Sequence, residues 1–333
     1  MTFIPYNFLF FFCLILGIFI SISSTHWIYV WIGIEINLIR FIPLILITKN
    51  YYEIERRIKY FLIQALSSSF IICFIFLIIF YSSYFNVIDY IVLILMICFI
   101  IKLGLVPFHF WFPDVMKGLN WLMCYLLVSS QKFTPLIIIS YMFYFFDSKI
   151  IFIGFLRVVV GGLSGISQTN IRLLISYSSI SHIGWIALSL RFSFFIIILY
   201  FFFYILINFF LFYIFIMYNF SNIKFLNIYS TSYIYYIIII SRIIILSGLP
   251  PFIGFLLKFI ILYNICLDNI YFFSLILILS SLTRFFFYLV LIFNMIIELS
   301  INFYISNIRI NFFFFSFFFF SLFFLLYIIF FIL

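Results

Sequence analysis

Apolar runs of about 20 residues recur along nearly the whole of this chain, separated by short polar connections, and that is the length needed to cross a hydrocarbon core ~30 Å thick. A backbone inside lipid must satisfy its own N–H and C=O groups, which leaves helices or a closed β-barrel. The runs are apolar on all sides and lack the alternation of a barrel strand, so the expected fold is all-α and polytopic. With 69% hydrophobic and 8% charged residues in 333, no stretch could form a soluble domain. A single integral membrane domain is expected over residues 1–333.

Eleven spans are expected, at roughly 4–22, 26–47, 60–82, 87–108, 121–143, 150–168, 172–190, 194–219, 232–267, 271–296 and 310–333, the ninth long and interrupted. The hydrophilic stretch TKNYYEIERRIKY reads as the connection between the second and third. Placing Met1 inside puts Lys49, Arg56, Arg57, Lys59, Lys117, Arg172, Lys224 and Arg309 on that side, and only Lys149 and Arg191 on the other. The N-terminus is therefore expected on the inner side. There is no basic, cleavable leader and no Arg- and Ser-rich one, so the mature chain is expected to begin at Met1. The 57 Phe and 25 Tyr, with abundant Ile, suggest an A/T-rich genome such as an organelle's, so no Phe is assigned a role by itself. The closing NFFFFSFFFFSLFFLLYIIFFIL reads as one last, lipid-facing span.

Several chemistries are disfavoured. Cys13, Cys73, Cys98, Cys124 and Cys266 lie singly in apolar runs with no metal-ligand spacing. His26, His109 and His182 fall on separate segments and do not supply the paired axial ligands of a membrane haem. The glycines of VVVGGLSGIS lack the Lys-Ser/Thr ending of a phosphate loop and are better explained by close helix packing. No cofactor or metal is expected on this chain, and no nucleic-acid partner.

The informative residues are the charges inside spans: Arg40, Lys102, Lys132, Arg157, Arg242, Lys258 and Arg284. A charge at bilayer depth costs at least ~2.5 kcal/mol, so such groups normally pair or meet water. Arg40, Arg157 and Arg284 lie near span ends or aromatic flanks and are expected to snorkel to headgroups; Arg242 fits either role. The three lysines differ, because each has a proline nearby: Pro107, Pro135, and the Pro250 and Pro251 pair. Proline frees backbone carbonyls, and interrupted helices beside ionisable residues build ion sites in transporters. Glu35 lies about eight residues into a span, ~12 Å deep, and must either pair with a cation or titrate.

KLGLVPFHFWFPD in the fourth span and LSGLPPFIGFLLK in the ninth are alike. If spans one to five (1–145) and six to ten (146–300) are two units, the break falls fourth in each, and units of five spans must be inverted; residues 301–333 then add a C-terminal helix. The ordered blocks WIGIEINLIRFIPL, KYFLIQALSS, KLGLVPFHFWFPDVMKG, SSQKFTP, YSSISHIGW and SGLPPFIGFLLKF closely resemble the chain 2 family of mitochondrial NADH:ubiquinone oxidoreductase, respiratory complex I. The resemblance runs from about residue 26 to 260.

It implies an antiporter-like subunit of a proton-pumping membrane arm in the mitochondrial inner membrane, with the N-terminus on the matrix side. The implied partners are other membrane-arm subunits and phospholipids, with no direct NADH binding. By the same resemblance Glu35 and Lys102 form a modulating ion pair, Lys132 is the central relay, and Lys258 faces the next half-channel or subunit. His109 and His182 match positions near the polar axis, with either a proton-transfer or a hydrogen-bonding role. Quinone reduction elsewhere would drive the protons, with no redox chemistry on this chain. Arg40 stands where the family has a small polar residue; five residues after Glu35, it points about 140° away from it. Two other readings use the same sequence: a free-standing cation/proton antiporter, and a structural assembly subunit that has no need of the lysines.

Overall fold

A computed structural model describes residues 5–45, 51–81, 85–142, 147–218, 233–250 and 252–303. It divides into two compact units, Met1–Gly154 and Phe155–Leu333. The expected span at 310–333 lies outside the described residues, as do Lys49, Lys224 and Arg309.

The first unit contains α1 (Pro5–Ser23), α2 (Trp27–Ile45), α3 (Tyr51–Phe80), α4 (Phe85–Leu103), α5 (Trp111–Gly118), α6 (Trp121–Val128) and α7 (Ser130–Met142), and then enters α8 (Asp147–Ser164). Small residues let α1 and α2 approach closely: a Cβ on Gly33 would lie 2.7 Å from both Gly17 O and Ser21 N. Buried Val30, Ile34, Leu38, Phe41 and Ile45 follow helical spacing down one face of α2, while Tyr29 and Ile39 are exposed on others. Trp31 Nε1 donates to Ser68 O at 3.0 Å and ties α2 to α3.

Helix α3 begins well before the expected span, so part of TKNYYEIERRIKY is helical rather than a loop. Its charges are compatible with a helix because they segregate: Glu55 and Lys59 pair at 2.9 Å on an exposed face, while Arg57 and Tyr60 turn inward.

In the second unit, α9 (Ile171–Ser189) is followed by α10 (Phe194–Tyr218), α11 (Tyr233–Ser247), α12 (Ile253–Leu267) and α13 (Tyr271–Phe303). Helix α9 is buried along nearly its whole length although it carries Ser176, Ser178, Ser179 and Ser181. Each of these hydroxyls donates to the carbonyl three residues back in its own helix, which makes a serine-rich helix compatible with burial. The glycines of α8 serve close packing: a Cβ on Gly161 would lie 2.8 Å from Ser181 N, and one on Gly162 2.7 Å from Thr283 Oγ1.

Among the described residues, six helical segments are long and apolar enough to cross a membrane: Trp27–Ile45, Ile54–Phe80, Trp121–Met142, Ile171–Ser189, Phe194–Ile216 and Tyr271–Asn294. The chain is an all-helical membrane protein.

Candidate functional site

Helix α4 ends where the sequence places its break. Gly104 takes the left-handed conformation at φ +63°, and its N–H and that of Leu105 return to Ile101 O and Ile100 O, both at 3.0 Å. This is a Schellman termination, for which glycine is favoured because it has no Cβ to clash. Two side chains add bonds at this end: Trp111 Nε1 gives Ile101 O a second donor and Gln64 Nε2 donates to Lys102 O, both at 3.2 Å.

Lys102 lies in the last turn of α4 and is 4% exposed. Among the described residues, neither its Nζ nor Glu35 Oε2 has a hydrogen-bond partner. The two groups are within electrostatic range of one another, yet no direct ion pair joins them. His109, in the segment between α4 and α5, donates from Nδ1 to Pro107 O at 3.3 Å and sits against the Phe110 ring at 4.2 Å.

A second interruption adjoins Lys132. The expected 121–143 span is α6 and α7, separated at Ser129. Within α7, Pro135 has no N–H for the Gln131 carbonyl, and its ring crowds that group. Just after the interruption, the Lys132 N–H goes to Ser129 O at 3.3 Å. The Lys132 side chain is 2% exposed, and its Nζ stands 3.8 Å from the centre of the Phe112 ring. Phe112 comes from α5 and is fully buried. An aromatic face offers a desolvated ammonium some of the stabilisation water would give. Helices α4 and α7, which carry Lys102 and Lys132, pack against one another.

The second unit repeats the device with a different cap. Helix α11 ends at Ser247, Gly248 adopts φ +80°, and α12 begins at Ile253. Here the lysine itself covers the break, Lys258 Nζ donating to Ser247 O at 2.9 Å. A Cβ on Gly248 would collide with that Nζ, so glycine meets two demands at one position. On α9, His182 Nδ1 shares a 3.1 Å hydrogen bond with Tyr200 Oη, and its ring lies 5.3 Å from that of Tyr204. Helices α9 and α12 are in contact.

Two arginines depart from expectation. Arg157 and Arg284 are 0% and 1% exposed and do not snorkel. Arg157 Nε donates to Ile180 O at 2.6 Å, and Arg284 Nη1 to Ser181 Oγ at 3.0 Å. Close packing by the α8 glycines encloses both on α9, an effect that distance from a span end does not register. Arg284 is within electrostatic range of Lys258, Tyr200 and Tyr288. Arg242 is also buried, with Cζ 4.6 Å from the centre of the Phe210 ring.

Among the described residues, no three His, Cys, Asp or Glu side chains gather as a metal site would require. What the site offers is a set of buried lysines, each next to a helix interruption. An amine in such a place can take up and release a proton without a covalent step.

The sequence profile of the NADH:quinone oxidoreductase/Mrp antiporter transmembrane family matches residues 24–283. NADH-ubiquinone oxidoreductase chain 2 of Anopheles gambiae is 35% identical over 300 residues, covering 85% of this chain and 84% of the relative. The chain belongs to this family, in its NADH-ubiquinone oxidoreductase chain 2 branch. Chain 2 of the sea urchin Strongylocentrotus purpuratus is 32% identical, covering 84% of this chain and 81% of its own.

Solved structures carry the same fold at lower identity. A chain of respiratory complex I from Thermus thermophilus superimposes with a TM-score of 0.76 at 22% identity, covering 87% of this chain and 70% of that one. A chain of the Mrp complex from Dietzia gives a TM-score of 0.76 at 15% identity, with 84% and 58% covered. The fold is therefore shared with a chain of the Mrp complex.

Proposed function

We propose that this chain is a proton-translocating subunit of the membrane arm of respiratory complex I, in the mitochondrial inner membrane with its N-terminus on the matrix side. Electron transfer from NADH to ubiquinone proceeds on other subunits and supplies the free energy. This chain binds no NADH, haem, flavin, iron–sulfur cluster or metal. Its partners are neighbouring membrane-arm subunits and phospholipid.

The observation that carries the reading is the burial of Lys102, Lys132 and Lys258 to 4%, 2% and 4% exposure, each beside a helix interruption. Burial of an ammonium disfavours its charge and a nearby carboxylate favours it, so a lysine so placed is a switchable proton site. In the proposed cycle Glu35 approaches and leaves Lys102, altering its hold on a proton. Lys132 takes the proton up against the Phe112 ring, and Lys258, facing the next half-channel, completes the path. His109 and His182 either pass the proton or orient its carriers through Pro107 and Tyr200. Eleven spans in two inverted five-helix units, followed by one C-terminal helix, provide the frame.

The deciding experiment substitutes Lys132→Met in the assembled complex, reconstituted in liposomes, and measures NADH oxidation and proton uptake together. The expected outcome is retained assembly and electron transfer with fewer protons moved per NADH. An unchanged ratio would reduce the chain to a structural subunit. Cation/proton exchange by the isolated chain would favour the free-standing antiporter.

A further inference from the structure

Gln131 immediately precedes Lys132 at the start of α7, and its side-chain amide is used at both ends. Nε2 donates to Asn37 Oδ1 at 2.9 Å, and Oε1 accepts from Tyr60 Oη at 3.2 Å. Asn37 and Tyr60 are each 2% exposed, so this chain of bonds runs through the interior and joins α2, α3 and α7. The Tyr60 ring lies between those of Phe41 and Trp111, at 5.4 and 5.9 Å. Trp111 is the side chain that caps Ile101 O beside Lys102.

The backbone at Gln131 needs such a hold. Pro135 offers no N–H to its carbonyl, and the Lys132 N–H has turned to Ser129. With regular helical bonding interrupted, the side-chain amide becomes a principal restraint on the segment that presents Lys132. On α2, Asn37 follows Glu35 by two residues, a rotation of about 200°, so the two project from nearly opposite sides of the helix. Any turn or tilt of α2 that changes the Glu35 to Lys102 separation must therefore move Asn37, and with it the amide next to Lys132. The contact of Trp111 with Tyr60 makes a second connection from the Lys102 break to the same amide.

Building on the proton-translocation reading above, we infer that the Asn37–Gln131–Tyr60 hydrogen-bond chain is the positioning link that carries a change in Glu35 and Lys102 pairing to Lys132. An amide suits this place because it accepts at one end and donates at the other, which a carboxylate or an apolar side chain cannot do. Neither Gln131 nor its two partners takes the proton; they set where Lys132 stands when Glu35 moves.

The test uses the assembled complex in liposomes, with protons taken up per NADH oxidised as the readout and Lys132→Met as the reference. Tyr60→Phe and Gln131→Leu should each lower that ratio about two-fold or more while NADH oxidation continues. Combining them should add little, since both cut one chain. The exchange variant Asn37→Gln with Gln131→Asn keeps the combined reach and should recover more coupling than either single change, a result that a merely structural role does not produce. If Lys132→Met pumps normally, the underlying reading fails. If Lys132→Met loses pumping while Tyr60→Phe and Gln131→Leu keep the full ratio, this inference alone is overturned. Should Gln131→Leu not assemble, Tyr60→Phe removes one oxygen from a ring that stays in place, and its ratio decides.

Discussion

Lys132 shows how a side chain that the sequence leaves without a role of its own can define a site. The lysine is legible because a proline follows it, whereas Phe112 is one of 57 phenylalanines and nothing local sets it apart. Only the fold of α5 brings its ring within 3.8 Å of the ammonium. A desolvated cation–π contact is worth about 2 kcal/mol or more, and an aliphatic side chain of similar size provides none of it. Phe112→Leu should therefore lower proton uptake per NADH in the reconstituted complex, whereas Phe112→Tyr, which keeps a ring face, should leave it near the wild-type ratio. Equal ratios for the two variants would show that the ring only fills space. Arg157 and Arg284 teach the converse: they were expected to snorkel because they lie near aromatic flanks, and α8 instead packs so closely on α9 and α13 that both are enclosed.

At the scale of elements, the breaks after Lys102 and before Lys258 were visible as Gly and Pro beside a charge, and both helices end at a glycine with positive φ. Beside Lys132, Pro135 was visible, but the place of the interruption was not: Ser129 lies six residues earlier, inside a run that reads as one apolar span. The helical start of α3 was hidden for a different reason, since its dense charge reads as a loop until the spacing of Glu55 and Lys59 is considered. Close helix approach was legible where glycines cluster, as in α8, and less so for α1 and α2, where Gly17 and Gly33 stand alone. Both backbone atoms nearest a Cβ on Gly33 are 2.7 Å away and belong to α1, so no side-chain rotation can relieve the clash. Gly33→Ala should cost about 1–3 kcal/mol of α1–α2 packing. Native electrophoresis should then show less assembled complex, with unaltered proton uptake per NADH in the fraction that assembles. A wild-type level of assembly would show that α1 shifts freely.

At the scale of the whole molecule, one contact in each unit bears on how often the chain crosses the membrane. In the first unit the Arg56 side chain, near the start of α3, lies over Gly118 at the end of α5. In the second, Arg191 Nε pairs with Asp268 Oδ2 at 3.1 Å, joining the α9–α10 and α12–α13 connections. An exposed pair of this kind adds at most about 1 kcal/mol, so its interest here is topological. Two points on one side of a membrane are separated by an even number of crossings. Between Arg56 and Gly118 run α3 and then α4 with α5; between Arg191 and Asp268 run α10 and then α11 with α12. Each broken pair then counts as one span, in keeping with length: α11 and α12 have 15 residues each, about 22 Å, and neither alone reaches across ~30 Å. The eleven-span reading counts them in this way, and it expects α6 with α7, α8 and α9 to supply an odd number of crossings between the two contacts. Single cysteines replacing Glu55, Lys117, Ser193 and Tyr271, treated with a membrane-impermeant maleimide in sealed inner-membrane vesicles of either orientation, test it. Positions 55 and 117 should react from the matrix side, where the basic connections are expected, and positions 193 and 271 from the opposite side. Labelling of 193 and 271 from different sides would mean that α11 and α12 are not one span, and labelling of all four from one side would overturn the inverted arrangement of the two units.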